Sequence, residues 1–365
     1  MRSTYPSKRM SHCATRGFDY RPSSMLQTPP SRSQSVSSLT RRDALRFFGI
    51  AGIASLTLPA AARAQETTPS AQPLRQPAFY RFSIGSFEAI AFVDGGFTAP
   101  LTQVAMWPGY SADDVGEELH RAFVPRDIAR LVFNVLLVRM GSELVLIDAG
   151  CGNLFGAAGG QLAGQLAAAG VKPSDITAVI LTHAHGDHMG GLLDANGSPV
   201  FSKARHFIGR REYDFWMGSS PALPLSVISD QEKQETIAGA RAHLQAIKFE
   251  RVKAGDSLIE GLEIIDAPGH TPGHIALSFT SGNEQLLHLV DVVHHHAISF
   301  ARPDWAIRFD TDPETAVATR KRLLDRAAAD RVRIFSGHLP FPSLGYVRAV
   351  ARDRYEFIPE PWRVA

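Results

Sequence analysis

Four residues able to bind a metal fall within six positions of this chain. They are His183, His185, Asp187 and His188, in the run Thr182-His183-Ala184-His185-Gly186-Asp187-His188-Met189-Gly190-Gly191. The run follows Ala178-Val179-Ile180-Leu181, a short apolar stretch that reads as a buried strand. In an extended segment residues i and i+2 point the same way, so His183 and His185 can share one cation. Asp187 and His188, on the turn that follows, are then placed to serve a second cation beside the first. Gly186, Gly190 and Gly191 let the backbone fold closely around such a cluster. A lone histidine would carry no such message; four ligand types at this spacing do.

The elements that must hold the cluster can be read outwards from it. Residues 79–92 carry short alternating apolar positions broken at Gly85-Ser86, as in an antiparallel hairpin. Residues 131–138 and 143–147 read as two strands joined by a tight turn at Gly141-Ser142, and 154–169 as an Ala/Leu-rich helix closed by Gly170. Lys172-Pro173-Ser174-Asp175 starts the element that leads into 178–181. Residues 195–250 are irregular and helical in part, while 262–265 and 286–290 are strands. A helix is expected over 313–329, with Asp312 as its N-cap and Pro313 in its first turn; 334–336 is expected to be the last strand. Strands followed by helix, twice over, imply an α/β domain with two sheets between helical layers.

Composition bounds the function. With 365 residues, 44% hydrophobic and 20% charged, the chain can bury a substantial core, which excludes collagen-like, broadly disordered and polytopic membrane proteins. Its net charge of +2 is unevenly placed. Residues 1–64 hold 10 Lys/Arg against 2 Asp/Glu, or +8, and the remainder holds 28 against 34, or −6. An acidic working domain gives nucleic acid no electrostatic support. Residues 1–39 are rich in Ser, Pro and Arg, and Thr40-Arg41-Arg42 then precedes an apolar run over 47–58 and the small-residue site Ala62-Arg63-Ala64. This resembles a bacterial twin-arginine signal, too short in its apolar part to span a bilayer. The expected organisation is therefore a leader and signal peptide over 1–64, starting at Met1 or Met25, and one hydrolase domain over 65–365. It implies the twin-arginine export machinery as a partner, a periplasmic or secreted location, and no stable membrane insertion. Cys13 lies in the leader, so the domain keeps only Cys151, expected to be a small buried side chain without redox function.

His183-Ala184-His185-Gly186-Asp187-His188 resembles the HxHxDH signature of the metallo-β-lactamase fold, an αββα sandwich with metals at one edge of its paired sheets. The resemblance extends to that family's other ligand positions. Asp266-Ala267-Pro268-Gly269-His270-Thr271-Pro272-Gly273-His274 matches its second block, implying His270 as a ligand and His274 as structural. Leu289-Val290-Asp291 matches the carboxylate shared by both metals, and Ser336-Gly337-His338 the last histidine. The implied first site is His183, His185, His270 and Asp291, and the implied second is Asp187, His188, His338 and the shared Asp291. Nitrogen and carboxylate ligands without thiolate suit two Zn²⁺ ions, with Mn²⁺, Co²⁺ or Fe compatible by ligand type. Such a pair, about 3.5–4 Å apart, lowers the pKa of a bridging water and polarises a carbonyl or phosphoryl oxygen. Asp187 is the candidate to orient that water or take its proton.

Four stretches resemble methyl parathion hydrolase and its relatives, an exported dizinc group acting on aryl phosphotriesters, aryl esters and lactones. They are Asn153-Leu154-Phe155-Gly156, Glu212-Tyr213-Asp214-Phe215-Trp216, 268–274, and His338-Leu339-Pro340-Phe341-Pro342. The resemblance implies Phe155 and Trp216 as walls of an aromatic substrate pocket, and a homodimer. Residues 218–246 depart from the pattern, which favours a lactonase or arylesterase over an efficient phosphotriesterase. Some lactonases of this fold carry a tyrosine near the position of His294, so His294 is a candidate proton donor to a leaving group. The alternative is that His294-His295-His296 forms a solvated loop. A thioesterase of the glyoxalase II type would need a C-terminal helical domain, for which 365 − 338 = 27 residues are too few. A non-catalytic periplasmic metal or ligand carrier would bind metal yet turn over no activated ester.

Overall fold

The computed structural model describes residues 78–362. The leader, the twin-arginine motif, Cys13, Met25 and the cleavage site all lie outside the described residues. All described residues belong to the unit Arg63–Ala365.

The strands are β1 (Phe79–Ile84), β2 (Phe87–Pro100), β3 (Ile128–Met140), β4 (Glu143–Ile147), β5 (Ala178–Leu181), β6 (Arg205–Gly209) and β7 (Phe249–Val252). After them come β8 (Leu262–Asp266), β9 (Ile275–Ser281), β10 (Glu284–Val290), β11 (Arg333–Ser336), β12 (Gly345–Ala351) and β13 (Arg354–Pro359). The helices are α1 (Leu101–Val104), α2 (Ala112–Arg121), α3 (Leu162–Ala168), α4 (Gly186–Met189), α5 (Arg210–Met217), α6 (Asp230–Ala246), α7 (Ile298–Ala301) and α8 (Pro313–Ala329). The first sheet runs β1 to β7 in sequence order, and the second runs β13-β12-β11-β10-β9-β8. Pairing is antiparallel from β1 to β4 and parallel from β4 to β7. In the second sheet only β10 and β11 are parallel. Each parallel step needs a crossover, supplied by α3, α4, α5 with α6, and α7 with α8.

Strand alternation builds the layers. Leu136, Val138, Val145, Ile147 and Ile180 pack on Ile264, Leu277, Phe279, Leu286 and Phe335 of the facing sheet. Their neighbours Val135, Leu137, Leu146 and Val179 point the other way, onto Leu162, Leu166, Ala240 and Leu244 of α3 and α6. On the far side of the second sheet, Leu287, Leu289 and Ile334 meet Leu323, Leu324 and Ala327 of α8. The result is the αββα sandwich expected from the sequence, with β3 to β5 buried on both faces.

The structure departs from the sequence reading in several places. The helix expected over 154–169 starts only at Leu162, after a short 3-10 turn at Gly156–Ala158. Buried Asp94 gathers the backbone N–H groups of Cys151, Gly160 and Leu162, which holds the earlier part as a loop. The hairpin's second strand runs on to Pro100 because β3 pairs with it along its whole length. Strand β9 was not anticipated, nor were β6 and β7 at the two ends of the stretch read as irregular and helical in part. Nor is 334–336 the last strand, since the β12–β13 hairpin completes the sheet beyond it. The helix over Pro313–Ala329 is as expected, with the Asp312 carboxylate accepting from Thr315 N.

Candidate metal centre and cleft

The proposed ligands leave the two sheets at one edge, most of them from the ends of parallel strands and His270 from an antiparallel connection. His183, His185, Asp187 and His188 follow β5, with Gly186 opening α4. His270 sits in the loop from β8 to β9, Asp291 directly follows β10, and His338 follows β11. Val290 takes the left-handed conformation (φ 51°), unusual for a β-branched residue, at the bend that releases Asp291 from the strand. The edge is clamped across the sandwich: Asn134 of β3 donates through Nδ2 to the carbonyls of Gly337 and Leu339. Gly191 allows a close crossing, since a Cβ there would lie 2.0 Å from the Ala149 carbonyl oxygen.

Asp291 is the hub. Its Oδ2 lies 3.0 Å from His338 Nε2, 3.2 Å from His270 Nε2 and 3.8 Å from His183 Nε2, and its Oδ1 lies 3.3 Å from His188 Nε2. Asp187 Oδ2 is 3.5 Å from both His188 Nε2 and His338 Nε2. The donor atoms form two compact groups, His183 with His185 and His270, and Asp187 with His188, Asp291 and His338. A third grouping joins His270, Asp291 and His294.

Hydrogen bonds on the far side of each ring fix which nitrogen faces inwards. A carboxylate or carbonyl oxygen only accepts, so His188 Nδ1 donates to Asp148 (2.8 Å), His270 Nδ1 to Asp310 (2.9 Å) and His338 Nδ1 to Val132 O (2.9 Å). Thr182 Oγ1 gives its proton to Asp148, leaving an oxygen for His183 Nδ1–H at 3.1 Å. Each of these rings then presents a bare Nε2 to the centre. His185 Nδ1 faces His270 Nε2 at 2.9 Å, two acceptors with only a proton or a cation to share. His183 Nε2, His188 Nε2 and Asp291 Oδ1 are buried without a hydrogen-bond partner. Among the described residues no lysine or arginine lines the cleft above them. Buried acceptors aimed at one another without a donor are what divalent cations satisfy, and the residues fit two of them.

Titration behaviour follows the same geometry. Burial and the charge of His188 push His183 well below the ordinary imidazole range, and burial with His270 lowers His185 to about 3. Burial also opposes a charge on His270, but hydrogen bonds to Asp291 and Asp310 raise it to about 9. Asp291 resists burial because His188 and His338 hold it well below the carboxylate range. Without a cation this centre keeps its carboxylates charged by protonating imidazoles, so metal ions and protons compete for it.

The centre forms the floor of a cleft of about 440 Å³, walled by Phe97, Leu131, Phe133, Phe155, Leu223 and Phe309. Phe155 lines this cleft and leans on Phe133 with ring centroids 5.4 Å apart. Trp216 does not: it is fully buried, and its indole Nε1 donates to Glu212 at 2.6 Å. The helical turn between Glu212 and Trp216 points both into the core, which corrects the reading of Trp216 as a pocket wall. His294 is buried at the cleft, with Nε2 3.4 Å from Asp291 Oδ2 and no hydrogen bond to either ring nitrogen. His295 is buried too, its Nδ1 accepting from Ala297 N, so the histidine triplet is not a solvated loop. His274 is structural, its Nδ1 donating to Ala267 O and its Nε2 accepting from Asp291 N. Burial raises the pKa of the Cys151 thiol strongly, as for an inert core cysteine.

Sequence reasoning assigned no role to Asp148, Asp310 or Glu212. Asp148 carried a partial signal, an acidic residue at the end of a buried strand. Asp310 lies 40 residues from His270, a separation at which no local pattern speaks.

Known proteins resemble this chain in the same region. A model of the metallo-beta-lactamase superfamily matches residues 130–338. The solved structure of AidC, a dizinc quorum-quenching lactonase, in complex with a product, is 32% identical, covering 79% of this chain and 99% of that one at a TM-score of 0.75. The structure of the hydrolase AbOPH in the beta lactamase superfamily is 28% identical, covering 80% and 100%, at a TM-score of 0.72. An N-acyl homoserine lactonase of Bacillus cereus is 25% identical over 46% of this chain and 58% of its own length. This chain spans about half the length of the curated relatives it matches.

Proposed function

Since the chain belongs to the metallo-β-lactamase superfamily, we propose that it is a dinuclear-metal hydrolase of esters and lactones. The observation that carries this reading is the pair of ligand groups joined at Asp291 on the floor of an apolar cleft. When bound, two divalent cations, zinc foremost, supply Lewis acidity and a water that ionises near neutral pH. The chain's own groups do the rest. Asp187, beside both His188 and His338, orients the attacking water by accepting its hydrogen bond. His294 is buried at the floor with its Nε2 3.4 Å from Asp291 Oδ2. Burial lowers it to about 4 and keeps it neutral, and its ring N–H faces the leaving oxygen as a hydrogen-bond donor. Phe133 and Phe155 hold the flat or aliphatic part of the substrate by burial and stacking. Similarity to lactonases supports a lactone as the electrophile.

A second reading, kinship with methyl parathion hydrolase and turnover of aryl phosphotriesters, draws on the cleft aromatics Phe97, Phe133, Phe155 and Phe309. Loss of Trp216 from the wall weakens it, because one of the two aromatics behind that kinship faces the core. The deciding measurement is kcat/KM of the zinc-loaded protein for an aromatic lactone and for a dimethyl aryl phosphotriester. A lactone preference of about tenfold or more upholds the first reading, and the reverse preference replaces it with the second. Turnover of neither, with two metals bound, leaves the carrier reading. Export is also proposed, from Thr40-Arg41-Arg42 and the apolar run over 47–58. A periplasmic fraction holding protein that begins at Gln65 would support it, and full-length protein confined to the cytoplasm would refute it.

A further inference from the structure

The loops that carry the first ligand group converge on a carboxylate that hydrogen-bonds to none of the ligand side chains. Glu212, on the first turn of α5, is fully buried and accepts four hydrogen bonds. One comes from the backbone N–H of Ala184 (2.9 Å), between His183 and His185. Two come from the other loop, Thr271 Oγ1 (2.7 Å) next to His270 and Gly273 N (2.9 Å). The fourth, from Trp216 Nε1, holds the carboxylate in place on its own helix. The approach is so close that a Cβ on Gly273 would lie 2.0 Å from Glu212 N. The second group is anchored elsewhere, His188 through Asp148 and His338 through Val132 O.

We propose that Glu212 is a positioning residue for the first cation site alone, latching the His183–His185 loop to the His270 loop. The inference rests on the dinuclear reading and adds to it which residue sets one site independently of the other. Physically, a buried carboxylate with all its lone pairs used has one low-energy arrangement, and that arrangement fixes the separation of two loops from different sheets. Glutamine in its place would turn an NH₂ towards at least one of these donors. The loops would not come apart altogether, because Ile275 N still donates to Thr182 O at 3.2 Å. Weaker binding at one site is therefore the expected consequence, and not unfolding.

The test is chelator competition on the purified, zinc-loaded chain, with metal counted per chain by elemental analysis. Wild type should hold two ions. Glu212→Gln should release one of them about 10–100-fold more readily, the range for partners behind metal ligands, and leave the other within about threefold. Combined with His338→Ala, which removes the second site, Glu212→Gln should weaken the single remaining ion by the same factor. Combined with His270→Ala it should change nothing further. Thr271→Val deletes one donor at nearly constant volume and should act on the same ion by a smaller factor; it decides the matter alone if Glu212→Gln does not fold. Equal weakening of both ions, no weakening in a folded variant, or a further effect on top of His270→Ala would overturn the proposal. Fewer than two ions on wild type would instead overturn the dinuclear reading.

Discussion

The floor of the cleft and its walls are built on different principles. Every candidate ligand on the floor leaves the end of a strand or the loop joining two strands, and nearly every imidazole is held from behind by a hydrogen bond. The walls draw half their residues from connecting segments: Phe155 from the loop before α3, Leu223 from that between α5 and α6, and Phe309 from that before α8, while Phe97, Leu131 and Phe133 stand on β2 and β3. These side chains are placed by apolar contact, which tolerates shifts that a hydrogen bond does not. Substitutions on the floor should therefore act on metal and turnover together, and substitutions in the wall on substrate binding alone.

The most severe way to break the floor is Asp291→Asn. Asp291 lies within 4 Å of five imidazoles, those of His183, His188, His270, His294 and His338. Loss of its charge should release metal and abolish activity together, beyond the roughly 100-fold typical of partners behind a ligand. Elemental analysis beside kcat/KM checks this, and retention of two ions would remove Asp291 as the shared ligand. Asp148→Asn comes next. Asparagine tolerates the φ of 63° at that position, yet its amide cannot match the carboxylate that orders His188 and Thr182. A 10–100-fold loss of metal affinity or activity is expected, with the fold intact by circular dichroism.

A pH experiment separates the floor's two states. In the metal-free protein His270 titrates at about 9, against about 6.5 for an unfolded histidine. A raised folded pKa stabilises the fold fully below the unfolded value, and that contribution is lost as pH rises through the folded one. Metal-free protein should therefore lose Tm between pH 6.5 and 9.5, and His270→Gln should show less of that loss. Metal-loaded protein, in which a cation replaces the proton, should not follow this trend. An identical decline in all three samples would detach the effect from His270.

What the sequence disclosed divides along the same line. His183, His185, Asp187 and His188 were legible because a strand end followed by closely spaced ligands is a local pattern, His270, Asp291 and His338 only through the family resemblance, and the sandwich because alternation and the 313–329 helix are local too. The groups behind the ligands were silent. Glu212 meets Thr271 across 59 residues, and Asp310 meets His270 across 40. The 154–169 stretch misled for the same reason, its early part being drawn into a loop by Asp94, 57 residues before Cys151. In Glu212-Tyr213-Asp214-Phe215-Trp216 the resemblance identified a motif, but helix phase decided that Trp216 faces the core.

That last distinction yields the mildest prediction and the sharpest test of wall against core. Phe155 is half-buried, leans on Phe133 at a tilt of 59° and lines the cleft, whereas Trp216 is fully enclosed and hydrogen-bonded to Glu212. Phe155→Ala should raise KM for an aryl ester about fivefold to tenfold, matching the roughly 1–1.5 kcal/mol of one aromatic contact. Its kcat should stay within about twofold, since no ligand is touched. Trp216→Phe should leave KM unchanged in metal-saturated enzyme, because the lost N–H faces a carboxylate in the core and no substrate. It should instead lower Tm, the cost of a buried acceptor losing one donor being about 1–3 kcal/mol. Steady-state kinetics and thermal melts on the two variants decide it. If Trp216→Phe moved KM as far as Phe155→Ala does, the wall would extend to Trp216, and floor and wall would no longer be separate systems.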